Sequence, residues 1–297
     1  MKNNNLLKIW LQQIRAPFLI LSIVLVLLGI SLAHHDGYRN WVHSLLLVIG
    51  VILAHISVDL FNELSDYRTK IDESTVRTPF SGGSGMMQAG KTSEAAVTAA
   101  AYGTLASAAA IGFYFCFVTG WVIALFMAIG GLAIRFYTSH FARWLLGELL
   151  AGLAMGTLVV LGVYYALTGH LTVEVVFISI PPGILTSLLL FLNEFPDVEA
   201  DKMGGRRHLV IHFGRKKSAG IYVFGLIGMY IIILIAPFSS DVPYTALIAL
   251  MTVPLAVKAS LIVLKHYNET ENLTPALGMN VGIVVLTDLL LAIGHFL

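Results

Sequence analysis

The sequence predicts an all-α membrane protein of nine transmembrane helices. Of its 297 residues, 57% are apolar and 12% are charged, and the mean hydropathy is +0.84. Soluble domains carry about 25% charged residues, so this composition excludes a soluble protein. A single cysteine, Cys116, also excludes an internal disulfide and cysteine-based metal sites.

The spans follow from apolar runs long enough, or nearly so, to cross a hydrocarbon core, which needs about 17–25 helical residues. In chain order they are residues 16–33, 41–61, 95–118, 120–136, 145–167, 173–192, 219–238, 243–264 and 276–297. We interpret residues 1–297 as one integral-membrane domain. It lies in the lipid bilayer, we expect no nucleic-acid partner, and we make no prediction of oligomeric state.

Basic residues support both the number of spans and their orientation. With the loops numbered alternately, 17 of the 18 Lys and Arg residues fall on one side of the membrane, and only Arg39 falls on the other. A wrong span count would have mixed the two sides. Because cytoplasmic loops carry the excess of basic residues, we expect a cytoplasmic N-terminus, an outer C-terminus and a place in the inner (plasma) membrane.

Acidic residues collect at the predicted cytoplasmic ends of spans two and six. In DLFNELSDYRTKID, residues 59–72, Asp59, Asn62 or Glu63, and Asp66 recur at spacings of three and four, which places them on one helical face. Asp72 follows past the expected helix end. In NEFPDVEAD, residues 193–201, an Asn and two Asp recur every four residues, and Pro196 predicts a kink or a broken turn.

Carboxylates that face one another repel unless a cation lies between them. Mg²⁺ fits, since it is bound by few carboxylates and shares its other positions with water and phosphate oxygens. Arg and Lys side chains would neutralise the remaining diphosphate oxygens. Charged residues often end membrane helices simply because the chain reaches water, but two matched Asn-x-x-x-Asp stripes favour a binding site.

Four other features have weaker interpretations. The mid-span Asp288 needs a partner or a proton, and it is either functional or a packing residue. His55 is expected to pack or to support a ligand, and the role of Asp59 stays open. The SGGSG segment, residues 81–85, could bind phosphate through backbone N–H groups or serve as a tether.

The two acidic stretches resemble the motifs of a known family. NELSD…D (Asn62, Asp66, Asp72) and NEFPDVEAD (Asn193, Asp197, Asp201) are similar to the two aspartate-rich motifs of the UbiA superfamily of intramembrane prenyltransferases. Nine helices with motifs after helices two and six also fit that family. Within it, the spacing from Asp66 to Asp72, together with the stretches WLQQIRAPFL, GELLAGLAMGTLVVLGVYYALTG and GGRRHLVIHFG, is similar to the 1,4-dihydroxy-2-naphthoate prenyltransferase (MenA) branch.

The sequence departs from the family at two positions and in one loop. Glu63 stands where Asp is commoner, and Asp59 stands where Asn is expected. The loop of residues 77–90 matches the family in position more than in letters. These departures bear on the identity of the acceptor.

The resemblance implies roles for specific residues. Metal ligands, for Mg²⁺ or alternatively Mn²⁺, are Asn62, Asp66, Asp72, Asn193, Asp197 and Asp201. Diphosphate contacts come from Arg68, Lys70, Lys91, Arg135, Ser139, Lys202, Arg206 and Arg207, with Lys91 opening helix three and Arg135 closing helix four. Catalytic residues are Asp66, Asp197, Tyr137 and Lys91, with Tyr137 and Ser139 shielding a carbocation or orienting the acceptor.

The implied function is Mg²⁺-assisted ionisation of an isoprenoid diphosphate, followed by attack of an aromatic acceptor on the allylic carbocation. The predicted acceptor is 1,4-dihydroxy-2-naphthoate, in menaquinone biosynthesis. The alternatives are 4-hydroxybenzoate, another quinone or lipid precursor, and, less favoured, a transporter, for which internal repeats are not evident. A lipid head-group phosphotransferase would carry Asp-Gly-x-x-Ala-Arg, which is absent.

Overall fold

The computed structural model describes residues 2–70, 78–136 and 145–297, with the backbone alone described for residues 2–5 and 135–136. Within these ranges the chain is helical and contains no strand. In chain order the helices are α1 (Lys2–Gln13), α2 (Ile20–His35, after the 3-10 turn Ala16–Leu19), α3 (Trp41–Thr69), α4 (Glu94–Val118), α5 (Val122–Phe136), α6 (Gly147–Gly152 and Leu158–Thr168, joined by the π-helical turn Leu153–Thr157), α7 (Val173–Met203), α8 (Leu209–Phe213), α9 (Arg215–Ser239), α10 (3-10 Tyr244–Thr252, then Val253–His266) and α11 (Thr270–Phe296).

The predicted fold class is confirmed. Eight helices in the described ranges are long and apolar enough to cross a membrane, and α5 is a further, shorter apolar helix of 15 residues. Helices α2, α7 and α11 pack together with α9 and α10 in the largest buried core, whereas α3 packs mainly against α4. The ends of α3 and α7, at Thr69 and Met203, lie together at one end of the bundle, which we call the motif end.

Helices α3 and α7 extend past the apolar spans that predicted them. Helix α3 continues to Thr69 rather than residue 61, and α7 continues to Met203 rather than residue 192. The predicted broken turn at Pro196 is wrong, because α7 is helical through that position. Proline removes only one backbone N–H. The adjacent carbonyl of Phe195 accepts a hydrogen bond from Arg215 Nε at 3.0 Å, and Phe195 itself is buried.

Glycines allow α6 and α7 to cross closely. A Cβ added to Gly156 would lie 2.6 Å from the Pro182 carbonyl oxygen and 2.7 Å from Gly183 Cα. A Cβ at Gly152 would lie 1.9 Å from Ser187 Oγ. Small residues are how membrane helices bring their backbones together. This crossing fixes the first half of α6 against α7 at residues 182–187, ahead of the second motif.

We expect Gly156→Ala to destabilise the protein by about 1–3 kcal/mol, the usual cost of overpacking a tight contact. The atoms that the new methyl group meets belong to backbone, so α6 and α7 would have to separate. Thermal unfolding in detergent measures the change. Gly228→Ala on α9 is the matched control, because a Cβ there meets no atom within 4 Å. Equal losses in both variants would contradict the role of the crossing.

Candidate active site

The two motifs meet through one arginine. Arg206 Nη1 donates to Asp201 Oδ1 on α7 at 2.9 Å, and Arg206 Nη2 donates to Asp66 Oδ1 on α3. All three side chains are mostly buried. The sequence predicted a cation between the two carboxylate stripes, and a guanidinium lies there in the structure.

A buried cluster of acids and a histidine lies behind Asp201. His208 Nε2 is 3.3 Å from Asp201 Oδ2, and His208 Nδ1 is 3.3 Å from Glu194 Oε2. Glu148, at the start of α6, accepts the Leu209 N–H at 2.7 Å through Oε1. Ligand-type atoms of Glu148, Glu194 and His208 all lie within 4.8 Å of one another. This cluster joins α6, α7 and the segment before α9, and so holds Asp201 in place.

An apolar cavity of about 470 Å³ opens beneath the motifs. Asn62 and Asn193 line its motif end together with Arg15, His55 and Asp59. From there its apolar lining follows one face of α3 back to Leu47, which is about 22 Å along the helix at 1.5 Å per residue. The remaining walls come from α2, α4, α5, α6 and α7, with side chains that include Phe115, Ile123, Phe126, Met155 and Leu189. The cavity can hold a long apolar molecule with its polar end at the motifs.

Some of the basic side chains predicted to contact phosphate form ion pairs with glutamates instead. Arg68 Nε donates to Glu94 at 2.7 Å, and Lys202 Nζ pairs with Glu199 at 3.5 Å. Lys70, Lys91 and Arg207 are exposed. Lys91 does not open the third helix, because Ser93 caps α4 by accepting the Ala96 N–H and the helix begins at Glu94.

Four predicted site residues cannot be placed. Asp72, Tyr137 and Ser139 lie outside the described residues, and so does the side chain of Arg135, whose backbone is in the last turn of α5. Their predicted roles stay predictions.

The SGGSG segment is anchored through Glu63. The Glu63 carboxylate accepts the Ser84 N–H and the Ser84 hydroxyl, both at 2.6 Å, and the Gln13 side-chain amide at 3.1 Å. Gly82, Gly83 and Gly85 have positive φ values, which a residue with a side chain rarely adopts. The longer Glu side chain, where the family more often has Asp, therefore ties the loop and α1 to α3.

Sequence reasoning missed Glu148, Glu194 and His208. Glu194 stands inside the second motif, but the i, i+4 pattern selects the neighbouring Asn193. Glu148 is a lone acid in an apolar stretch, and His208 follows a run of basic residues, so neither shows a spacing that singles it out. Asp288 is fully buried, and neither of its carboxyl oxygens has a hydrogen-bond partner in the described part of the chain.

The donor set fits a hard divalent cation. The two motifs offer only carboxylate and carboxamide oxygens, which suit Mg²⁺ rather than a softer metal. Asn193 Oδ1 is buried at the cavity and accepts no hydrogen bond from the described residues. Asp66 and Asp201 already lie on opposite sides of a positive charge. A metal ion at this position would take the place between the carboxylates that the Arg206 guanidinium now fills, with Asn193 Oδ1 as a further ligand.

This helical bundle encloses an apolar cavity, and oxygen ligands for a cation lie at one end of it. Such an arrangement is typical of membrane proteins that bind an amphiphile through its anionic head. The sequence profile of the UbiA prenyltransferase family matches residues 22–281, and the chain belongs to this family. The family predicted from the two aspartate-rich motifs is thereby confirmed.

Individual relatives agree with this membership. The chain is 29% identical over 253 residues to the 1,4-dihydroxy-2-naphthoate octaprenyltransferase of Bacillus subtilis (strain 168), with 84% of this chain and 79% of the relative covered. An apo UbiA homologue from Aeropyrum pernix K1 has a similar structure, with a TM-score of 0.70 at 14% identity over 91% of this chain and 94% of that one. A UbiA homologue from Archaeoglobus fulgidus, solved with GPP and Mg²⁺, gives a TM-score of 0.61 at 14% identity over 95% and 99%.

Proposed function

We propose that this protein transfers a prenyl group from an isoprenoid diphosphate to 1,4-dihydroxy-2-naphthoate in menaquinone biosynthesis. The observation that carries the proposal is the junction of the apolar cavity with the two motifs. An isoprenoid tail fits the walls, and the cations that the motif carboxylates hold, Arg206 and a divalent metal, would bind its diphosphate. The Bacillus subtilis relative, named for the same acceptor, supports the naphthoate. The Archaeoglobus fulgidus neighbour was solved with an isoprenoid diphosphate and Mg²⁺.

The motif residues would hold Mg²⁺, for which Mn²⁺ could substitute. The ligands are Asn62, Asp66, Asp72, Asn193, Asp197 and Asp201. When bound, the metal neutralises the leaving diphosphate and so lowers the barrier to breaking the allylic C–O bond.

The chain's own residues then bind the diphosphate and protect the cation. Arg206 already lies between the motifs, so its guanidinium can turn from carboxylate to phosphate oxygens. Further phosphate contacts are assigned to Arg68, Lys70, Lys91, Arg135, Ser139, Lys202 and Arg207. The apolar walls exclude water from the allylic cation. Tyr137 is proposed to shield that cation on the side facing the acceptor.

A competition experiment tests the acceptor. Purified protein receives one prenyl diphosphate, Mg²⁺, and equal amounts of 1,4-dihydroxy-2-naphthoate and 4-hydroxybenzoate, and the products are separated by mass. We expect the naphthoate to be prenylated with loss of its carboxylate. The charge of the protein surface does not favour one of these two acceptors over the other, since a basic surface attracts both acids. Exclusive prenylation of 4-hydroxybenzoate would overturn the naphthoate while leaving prenyl transfer in place.

The motif end is proposed to face the cytoplasm of a bacterial-type inner membrane, from the 17-to-1 distribution of basic residues. Exposed positions at the two ends of α9 test this orientation. In a Cys116→Ser background, Ser239→Cys should react with an impermeant thiol reagent in intact cells, and Lys217→Cys should react only after lysis. The reverse pattern would show that the motif end faces outward.

A further inference from the structure

Two polar side chains lie in the cavity wall one turn below the first motif. His55 and Asp59 are 7% and 8% exposed, and both line the apolar cavity. They stand one turn apart on α3, and His55 Nε2 is 3.8 Å from Asp59 Oδ2. On the other side of the ring, His55 Nδ1 is hydrogen-bonded to Ser22 Oγ on α2 at 2.7 Å. A histidine between a hydroxyl and a carboxylate therefore faces an otherwise apolar space.

Asp59 lacks a hydrogen-bond donor at this site. Its Oδ2 is buried and accepts no hydrogen bond from the described residues. Buried carboxylate oxygens are normally hydrogen-bonded, so such an exception calls for a partner that the resting protein does not supply. Asp288 is also buried without a hydrogen bond, but it does not line the cavity. Asp59 lines the space that the substrates would occupy, and its buried Oδ2 is the oxygen nearest to His55 Nε2.

Position favours the acceptor as that partner. Asp59 precedes Asn62 by three residues, so the pair lies next to the residues proposed to hold the diphosphate end of the donor. The other charged side chain lining this end, Arg15, donates through Nη2 to the Phe80 carbonyl at 3.0 Å and offers no proton acceptor. A hydroxyl group on an aromatic ring would supply a proton here, and its transfer to His55 Nε2 would create the N–H donor that Asp59 lacks.

We infer that His55 and Asp59 form the acid–base pair that takes the ring-hydroxyl proton of the aromatic acceptor as it is prenylated. This inference rests on the proposed function. In the tautomer that donates the Nδ1 proton to Ser22 Oγ, Nε2 keeps its lone pair and can act as the base. Asp59 lies beside the same nitrogen, and its negative charge would stabilise the imidazolium that forms.

The step balances as an electrophilic substitution. The acceptor O–H bond breaks, and its proton goes to His55 Nε2. The oxygen electron pair moves into the ring, and a ring carbon forms the new C–C bond to C1 of the prenyl group. The C1–O bond of the donor breaks, and its electron pair leaves with the diphosphate. The carboxylate on that ring carbon then leaves as CO₂, its bonding electron pair restores the aromatic ring, and His55 returns the proton to the ring oxygen. No oxidant or reductant is needed.

The test separates ionisation of the donor from transfer to the acceptor. Wild type, His55→Gln and Asp59→Asn are assayed for diphosphate release with water alone, and for prenyl transfer at saturating acceptor. A base of this kind contributes about a hundredfold to the rate. We therefore expect each variant to lose about a hundredfold in transfer while diphosphate release stays within about threefold of wild type. Asp241→Asn, an exposed acid outside the cavity, should change neither activity.

A second acceptor distinguishes a base from a structural residue. An acceptor carrying electron-withdrawing substituents, already ionised at the assay pH, needs no base, so it should restore most of the transfer lost in His55→Gln. An equal deficit with both acceptors would overturn the pair, as would equal loss of release and transfer in both variants. Asp59→Asn is nearly isosteric and keeps the test valid should His55→Gln fail to fold.

The outcomes also separate this inference from the proposed function. If both variants transfer the prenyl group as fast as the wild type, the acid–base pair is overturned and the proposed function stands. Release of diphosphate by the wild type without transfer to any hydroxylated aromatic ring would overturn the proposed function, and the pair with it.

Discussion

Asp66→Asn and Asp197→Asn are each expected to lower turnover by at least about a hundredfold, the usual effect of removing one electrostatic contact to a transition state. Asp66 lies in the last turn of α3 and Asp197 in the last turns of α7, and both are partly buried at the motif end. Replacing a carboxylate with a carboxamide changes the shape little, but it removes the negative charge that would hold a divalent cation. Turnover with a labelled prenyl diphosphate measures the effect.

The control for this prediction lies on the same helix. Glu199 is two residues beyond Asp197, and its side chain is 67% exposed, with contacts to Lys202 and Arg215. Glu199→Gln should leave turnover within about twofold, since exposed ion pairs contribute little. Similar losses in all three variants would point to general destabilisation rather than to loss of a metal ligand.

Arg206→Met should have the second-largest effect, on stability as well as turnover. Without the guanidinium, Asp66 and Asp201 would face each other across a mostly buried space from which the charge of Arg206 has been removed. Removing one partner of a buried ion pair costs about 3–5 kcal/mol, and we expect about 2 kcal/mol here because Arg206 keeps some solvent exposure. Turnover should fall by about a hundredfold, because the diphosphate loses a charge-assisted contact.

Mg²⁺ distinguishes this explanation from simple loss of packing. A metal ion bound between the two motifs would replace the missing positive charge, so thermal unfolding of Arg206→Met should be raised by Mg²⁺ more than that of the wild type is. Lys217→Met, an exposed change at the start of α9, should alter neither stability nor its response to Mg²⁺. An Arg206 variant as stable as wild type without Mg²⁺ would show that the ion pairs contribute nothing.

The fold class and the proximity of the two motifs could be predicted from the sequence, because both depend on patterns that repeat along a helix. Apolar runs predicted the spans, and the Asn-x-x-x-Asp spacing placed Asn62 and Asp66, and likewise Asn193 and Asp197, along single helices. The ends of α3 and α7 predicted from hydropathy came too early in the sequence. Hydropathy shows where polar residues begin, not where helical hydrogen bonding stops. Hydropathy placed the third span at residues 95–118, close to the observed start at Glu94, whereas the assignment of Lys91 as the opening residue of that helix was wrong.

Contacts between distant segments were beyond the sequence. Arg206 is 140 residues from Asp66, and nothing local distinguishes it from Arg207, which is exposed. Glu148 and His208 come together through tertiary packing, which no local pattern in the sequence records. The orphaned oxygen of Asp59 could be recognised only after its burial and its neighbours were known.

Helix α4 separates the cavity from the lipid by the thickness of one helix. Ala108 and Gly112 line the cavity, whereas Phe113 and Phe117 on the same helix are 56% and 90% exposed. In a bilayer these exposed side chains would face the acyl chains, so α4 is a wall with the cavity on one side and lipid on the other. A prenylated ring that left the cavity past α4 would enter the bilayer without meeting water, so the solvent that receives the product would be the membrane itself.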